Sequence, residues 1–456
     1  MRRFFVAVFG LVLRIFFAHI EIEGADKIPR QGPLMFVLNH PNALIDPGVI
    51  ACLAPRPVSF MAKSTLFKMP VVGWIVRGFE SIPVHRKMDA GQGADPAQNK
   101  RTFEQCRALL GRGGALAIFP EGTSHSDPAL RRLKTGAARL ALGAAAMQAA
   151  SAEPFRIVPA GLYYTDKKTF RSSILVYYTA ALEVAPVELA ADFEPPIEAV
   201  RALTDRIKRA LDDVTLQAEH HAALRIVERA ERIFSAAGEH ALSLTEAFER
   251  RRRFLAGYQQ LNASHPELIA GLRDRIHRYE SRVGALGLEV EHVRPESFSA
   301  GNVVTYAARS LAVITLLGPL ALVGTLLHYP AYVTIRWVSR RVARGEEDML
   351  STIKLLAAML FFVVTWALAA LVVLALSSWP WALVALGLAP LSGWVALRVH
   401  ERFDRSIEAA RGLWVFMTRR REYEKLHAER VRIRQEILAL QAQLPIGEVR
   451  DERAEG

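Results

Sequence analysis

Pro33-Leu34-Met35-Phe36-Val37-Leu38-Asn39-His40-Pro41-Asn42-Ala43-Leu44-Ile45-Asp46-Pro47 is an apolar run that ends abruptly on polar and turn-forming residues. A short run of this kind, bounded by turn signals, reads as a strand buried within a sheet. The pattern recurs. Val58–Met61, Ser81–Val84, Ala115–Phe119, Phe155–Leu162 and Ile174–Leu182 read as further strands, with helices expected over Ala97–Leu110 and Lys134–Ala150. Strands alternating with helices predict an α/β domain over residues 21–196, its central sheet mostly parallel, mixed, and flanked by helices. Functional groups in such sheets gather in the loops after strand ends.

Three polar clusters occupy those loops. In the first, His40 is followed shortly by Asp46. A carboxylate that accepts from one ring nitrogen leaves the other free to take a proton, so the pair suits general-base chemistry. In the second, Phe119-Pro120-Glu121-Gly122-Thr123-Ser124 turns sharply after a strand. Gly122 permits close backbone approach to a ligand, and the Thr123 and Ser124 hydroxyls can bond phosphate oxygens. In the third, Ser81-Ile82-Pro83-Val84-His85-Arg86 sets a guanidinium at a strand end, a group that suits phosphate. Taken singly, each also reads as ordinary structure: a histidine capped by an aspartate, a plain turn, an exposed arginine.

In this order and spacing the clusters resemble the glycerolipid acyltransferase family. Its His–Asp block is matched by His40 and Asp46, its Ile-Pro-Val-x-Arg block by Ile82–Arg86, and its Phe-Pro-Glu-Gly block by Phe119–Gly122. Ile157-Val158-Pro159-Ala160-Gly161-Leu162 is similar to the family's last motif. The resemblance spans roughly residues 20–215. It implies transfer of a fatty acyl group from a thioester to a hydroxyl of glycerol phosphate or a lysophospholipid. His40 would be the base and Asp46 its orienting partner. Glu121 would help fix the acceptor, and Arg86, Gly122, Thr123, Ser124 and Lys134 would bind it or its phosphate. Backbone N–H groups near Gly122 suit either an oxyanion or a phosphate. Two departures narrow the resemblance. Five residues separate His40 from Asp46 where the family usually has four, and Ser124 stands where an arginine is common. Both resemble the fungal-type glycerol-3-phosphate/dihydroxyacetone-phosphate acyltransferases, which tilts the acceptor towards glycerol 3-phosphate.

No cofactor is expected beyond the acyl-CoA or acyl carrier protein thioester that serves as donor. The two cysteines, Cys52 and Cys106, do not sit in a metal-ligand spacing, and no metal site is expected. The sequence holds no Gly-x-Ser-x-Gly elbow, which disfavours a serine lipase or esterase.

With 456 residues, 58 Lys+Arg against 46 Asp+Glu, a net charge of +12 and 51% hydrophobic residues, the chain is neither disordered nor a disulfide scaffold. Basicity leaves nucleic acid or an anionic membrane as partner. Distribution favours the bilayer. Leu355–Leu376 carries no charge over 22 residues, about 33 Å as a helix. Ser377-Ser378-Trp379-Pro380 then turns the chain into a second apolar run ending at Leu397. Together, 355–397 reads as a transmembrane hairpin. Arginines flank it at 336, 340, 341 and 344 and at 398, 402, 405, 411 and 419–421. The positive-inside rule puts both flanks in the cytoplasm, at an inner (cytoplasmic) membrane with the catalytic domain facing the cytoplasm. Because one further crossing would put that domain outside, 311–335, interrupted by Gly318-Pro319 and Pro330, reads as a re-entrant or shallow interfacial hairpin within a membrane section at 301–400. Residues 1–20 read as an interfacial helix, with a buried core helix as the alternative.

Residues 197–300 and the basic tail 401–456 show helical periodicity and read as a coiled-coil-like stalk that offers a route to oligomers. Arg250–Arg253 reads as a solvated face or an anionic-lipid contact. Three rival functions remain: a lysophosphatidate or lysophospholipid acyltransferase, a membrane scaffold with an inactive acyltransferase domain, and nucleic-acid binding, which charge alone supports and which is not expected.

Overall fold

The computed structural model describes residues 2–85, 96–148, 153–191, 193–235, 242–293, 300–343 and 347–443. The chain divides into two units, residues 1–217 with 336–359, and residues 218–335 with 360–456.

Among the described residues the first unit is built on eight strands, β1 (His19–Glu23), β2 (Leu34–Leu38), β3 (Val58–Lys63), β4 (Ile82–Val84), β5 (Ala115–Ile118), β6 (Arg156–Tyr164), β7 (Ser173–Tyr178) and β8 (Leu182–Glu183). Their order is β1-β7-β6-β2-β5-β3-β4, with β8 also on β6. Every pairing along that path is parallel except β6 with β7, giving the mixed, mostly parallel sheet expected. β1 lay outside the expected strands, and Ile174–Leu182 resolves into β7 and β8 with a break between them.

β2 is central and buried throughout. Successive side chains leave opposite faces of a strand, so Leu34, Phe36 and Leu38 join one apolar cluster while Met35 and Val37 join the other. The first cluster includes Phe5, Phe9, Leu13 and Phe16 of α1 (Arg2–Phe16) and Val49 and Ile50 of α2 (Ile45–Leu53). α1 is therefore a core helix along one stripe, while Phe4, Leu11 and Ile15 remain exposed on its outer side. The second cluster gathers α4 (Pro96–Gly111), α5 (Gly136–Met147) and α6 (Ile197–Asp212), α3 (Pro70–Gly78) lying earlier in the chain.

α6 corrects the expected boundary at 196. Its buried stripe of Val200, Leu203, Ile207 and Leu211 packs on the sheet's second face, so the α/β unit runs to 217. The 3–4 spacing was read as a stalk because periodicity reports that a helix has an apolar stripe, not what covers it.

In the second unit, α7 (His221–Ser235), α8 (Leu244–Ser264), α9 (Pro266–Ala285) and α13 (Arg420–Gln443) pack as a helical bundle in place of the coiled-coil-like stalk. Ile276, Tyr279 and Val283 of α9 and Tyr423, Leu426, Ile433 and Ile437 of α13 are buried. Arg275–Glu436 at 2.7 Å and Arg282–Glu429 at 2.8 Å tie α9 to α13, although exposed pairs of this kind add about 0–1 kcal/mol each. Two members of the arginine run turn inward. Arg250 and Arg251 pair with the buried Glu231 of α7. Burial alone would raise that carboxyl, but Ser235 and the two guanidinium groups hold it below the usual range.

Among the described residues three helices are long and apolar enough to cross a membrane, over Ala308–Ala343, Met349–Leu376 and Trp379–Thr418. They belong to α10 (Ala300–Ala343), α11 (Glu347–Leu376) and α12 (Trp379–Thr418). The expected hairpin over 311–335 is thus corrected. Pro319 and Pro330 lie inside one continuous helix, because apolar surroundings and neighbouring helices let proline sit within such helices. α10 approaches α12 closely: a Cβ on Gly324 would fall 2.1 Å from the Ser392 carbonyl oxygen. Nearby, the Trp366 indole donates to His328 Nε2 at 2.8 Å. Small residues and a side-chain hydrogen bond at a helix interface are the usual means of association in lipid.

Candidate functional site

The chain leaves β2 at Leu38 and delivers Asn39 and His40 beyond the carboxyl end of the sheet. Asn39 fixes the exit: its side chain accepts from the Leu162 N–H at 2.8 Å and donates to the Leu162 carbonyl at 3.0 Å, which anchors it to β6. His40 Nδ1 meets Asp46 Oδ2 at 2.8 Å, with the Asp46 side chain fully buried. The same oxygen accepts the Asn42 N–H at 2.7 Å, and Oδ1 accepts the Tyr164 hydroxyl at 2.6 Å. Burial first, and then Asp46, push the Tyr164 phenol well above its ordinary pKa, so it stays a neutral donor. The imidazole stacks on Phe119, ring centroids 4.0 Å apart and 17° from parallel.

The chemical consequence follows from which nitrogen is engaged. A carboxylate accepts only, so Nδ1 carries the hydrogen and Nε2 presents its lone pair. Two further donors hold Asp46 still, so the tautomer and ring orientation are set before any substrate arrives. The Asn42 side-chain amide is buried beside this loop with neither its oxygen nor its nitrogen hydrogen-bonded.

The turn after β5 comes to the same end of the sheet. The Glu121 side chain is fully buried. Its Oε1 accepts the His40 N–H at 3.0 Å, and its Oε2 accepts the Arg131 N–H at 2.9 Å and pairs with His125 Nε2. Both carboxylate oxygens thereby accept from protein donors, which gives Glu121 a structural role beside the expected one of fixing the acceptor. Its geometry is that of a strut joining the two loops, and the His125 N–H reinforces it by donating to the His40 carbonyl at 3.1 Å. Gly122 sits at φ +76°, and a Cβ there would fall 2.5 Å from Lys134 Nζ. The glycine thus makes room for the lysine ammonium over the turn. Thr123, exposed, and Ser124 lie on the same turn. Arg86 lies outside the described residues.

His40, Asp46, Glu121, Gly122, Thr123, Ser124 and Lys134 therefore come from two adjacent loops. Sequence reading missed Tyr164, His125 and Lys167. The strand expected over Phe155–Leu162 stops two residues short of Tyr164, and nothing local marks that residue as a carboxylate partner. Lys167 Nζ bonds the Pro41 carbonyl at 3.0 Å and Ser126 Oγ at 2.7 Å. Burial pushes the Cys52 and Cys106 thiols up to about 12, against smaller opposing effects of Arg14 and Arg107. Neither is a ready thiolate nucleophile. Among the described residues no group of His, Cys, Asp and Glu is placed to hold a metal ion.

The acyltransferase family matches residues 19–163, and the family of glycerol-3-phosphate acyltransferase 2 C-terminal domains matches residues 226–444. The chain is similar to glycerol-3-phosphate O-acyltransferase 1 of Saccharomyces cerevisiae, 25% identical over 76% of this chain and 56% of that protein. It is also similar to an uncharacterized acyltransferase of Schizosaccharomyces pombe, 22% identical over 77% of this chain and 65% of that protein. The chain thus spans less than two thirds of the length of these curated relatives. Among solved structures, the 1-acyl-sn-glycerophosphate (LPA) acyltransferase of Thermotoga maritima aligns with 47% of this chain and 79% of its own, at a TM-score of 0.33 and 16% identity.

Proposed function

We propose that this chain, matched by the acyltransferase family over residues 19–163 and by the glycerol-3-phosphate acyltransferase 2 C-terminal family over 226–444, moves a fatty acyl group from a thioester to the hydroxyl of glycerol 3-phosphate at a membrane surface. The observation that carries the reading is the His40–Asp46 pair, with Nδ1 committed to a buried carboxylate and Nε2 open. His40 Nε2 takes the proton of the acceptor hydroxyl as its oxygen attacks the thioester carbonyl. Asp46 stabilises the imidazolium. Collapse of the tetrahedral adduct breaks the C–S bond, and the proton on Nε2 passes to the departing thiolate. No acyl-enzyme is needed. Lys134, over Gly122, supplies positive charge for the acceptor phosphate, and Arg86 is a second candidate for it. A coenzyme A or carrier-protein thioester serves as donor.

The relatives' names favour glycerol 3-phosphate, while the acyltransferase fold also suits lysophosphatidate. A panel of glycerol 3-phosphate, dihydroxyacetone phosphate and lysophosphatidate with one labelled donor tests this. Transfer to glycerol 3-phosphate is expected to dominate. Preference for lysophosphatidate would move the acceptor assignment, and no transfer to any acceptor would favour an inactive scaffold.

The second unit supports a topology. α7 and α9 precede the three apolar helices and α13 follows them, yet α13 packs on both. Two ends of one bundle lie on one face of a bilayer, so the number of crossings between them is even, and two of the three helices cross. α11 and α12 are the crossing hairpin. α10, one continuous helix, lies beside α12, where the Arg402 side chain donates to Ser310 Oγ at 3.3 Å, and adds no crossing. On this reading the arginine-rich flanks favour a cytoplasmic position for that face, and for the acyltransferase domain, at an inner membrane. In sealed right-side-out vesicles, with Cys52 and Cys106 replaced by alanine, an impermeant maleimide is expected to label Ser378→Cys but neither His265→Cys nor Glu424→Cys. Labelling of only one of the last two would show an odd number of crossings and refute the arrangement.

A further inference from the structure

The loop between His40 and Asp46 contains a backbone feature that its own sequence does not explain. Ala43 has φ +25°, a conformation that an L-residue rarely adopts and that persists only where the surroundings impose it. The next residue, Leu44, is the N-cap of α2 and gives that helix no side-chain cap. Its N–H is instead accepted by Thr352 Oγ1 at 3.2 Å.

Thr352 lies 308 residues away in sequence, in the opening turns of α11, and is 5% exposed. Its neighbour Ser351, fully buried, donates its hydroxyl to the Lys167 carbonyl. The Lys167 ammonium reaches the Pro41 carbonyl at 3.0 Å, on the other side of Ala43. Lys354 Nζ adds a bond to the Lys168 carbonyl at 2.6 Å. One turn on, Leu355 is buried in the same apolar cluster as Ile45 and Val49 of α2. The His40–Asp46 loop is therefore held after its strained residue by Thr352 directly, and before it by Lys167, whose carbonyl Ser351 holds, Thr352 and Ser351 both standing at the start of a helix long and apolar enough to enter a bilayer.

We propose that Thr352 is a positioning residue for the His40–Asp46 pair, through which the opening turns of α11 set the geometry of the reaction loop. The inference rests on the proposed role of His40. Ala43 lies between His40 and Asp46, and Thr352 accepts the N–H of the residue that follows it. The device also ties the reacting pair to the helix that meets the membrane, so that insertion of α11 and alignment of the base are linked.

The test uses the full chain in lipid nanodiscs and compares Thr352→Val with Thr352→Ser. Valine keeps the shape and removes the acceptor; serine keeps the acceptor. Thr352→Val is expected to lower kcat by about tenfold to a hundredfold, as for a misplaced catalytic group, with KM for glycerol 3-phosphate within about twofold of wild type. Thr352→Ser is expected to stay within about threefold of wild type in kcat. Hydrogen exchange of the peptide covering residues 41–46, read without substrate, is expected to accelerate in the valine variant and not in the serine variant. Wild-type kcat and unchanged exchange in Thr352→Val would overturn the proposal. Equal losses in both variants, with a lowered melting temperature, would overturn it in favour of a purely structural contact. His40→Ala serves as the control on the reaction itself. If that variant retains transfer, the role of His40 fails, while the exchange measurement still decides whether Thr352 holds the loop.

Discussion

His40→Ala is expected to lower kcat for acyl transfer by about 10²–10⁴, the range supplied by a positioned general base, and to leave the fold in place. The fold survives because Asp46 keeps two of its three donors, the Asn42 N–H and the Tyr164 hydroxyl, so the buried carboxylate is not stranded. The change does remove the stack on Phe119, while His40→Asn, which retains an N–H donor, controls for the lost hydrogen bond to Asp46. Both variants are expected to lose activity alike and to melt close to wild type, with KM for the acceptor little changed. Nothing in the geometry gives the ring a role in holding substrate. A variant with near-normal kcat would remove the base from the mechanism, and one that lost affinity alone would recast His40 as a binding residue.

The α/β architecture was legible because burial on both faces leaves a strong trace: β2 is five apolar residues with no alternation, and its neighbours repeat the pattern. His40, Asp46 and the Pro-Glu-Gly turn were legible because they sit directly after such strands. What escaped has a common cause. Tyr164 bonds Asp46 across 118 positions, and Thr352 bonds Leu44 across 308. No local pattern announces a partner that only the fold brings near. α6 escaped for a related reason. Its stripe was read correctly as helical, but whether a stripe faces a sheet or another helix depends on what it meets. Arg250 and Arg251 show the same limit for charge, since a run of four arginines looks solvated until the buried Glu231 is placed beside it.

Glu121→Ala is expected to destabilise the α/β unit by about 3–5 kcal/mol, the usual cost of removing one partner from a buried charged network. Three donors converge on this fully buried carboxylate: the N–H groups of His40 and Arg131, and His125 Nε2. Each donor left unsatisfied in the interior costs about 1–3 kcal/mol. The His40 N–H also ties the loop after β2 to the turn after β5, so activity should fall with stability, and the loss should appear in kcat. Glu121→Gln keeps the volume and one acceptor oxygen but turns an amide N–H₂ towards existing donors, so an intermediate effect is expected. The competing role, contact with the acceptor, predicts a different signature, a raised KM for glycerol 3-phosphate with an unchanged unfolding transition. Chemical denaturation of the two variants beside their kinetics separates these roles. A wild-type transition with only KM affected would return Glu121 to the substrate, and a large stability loss would mark the carboxylate as the joint on which the alignment of His40 depends.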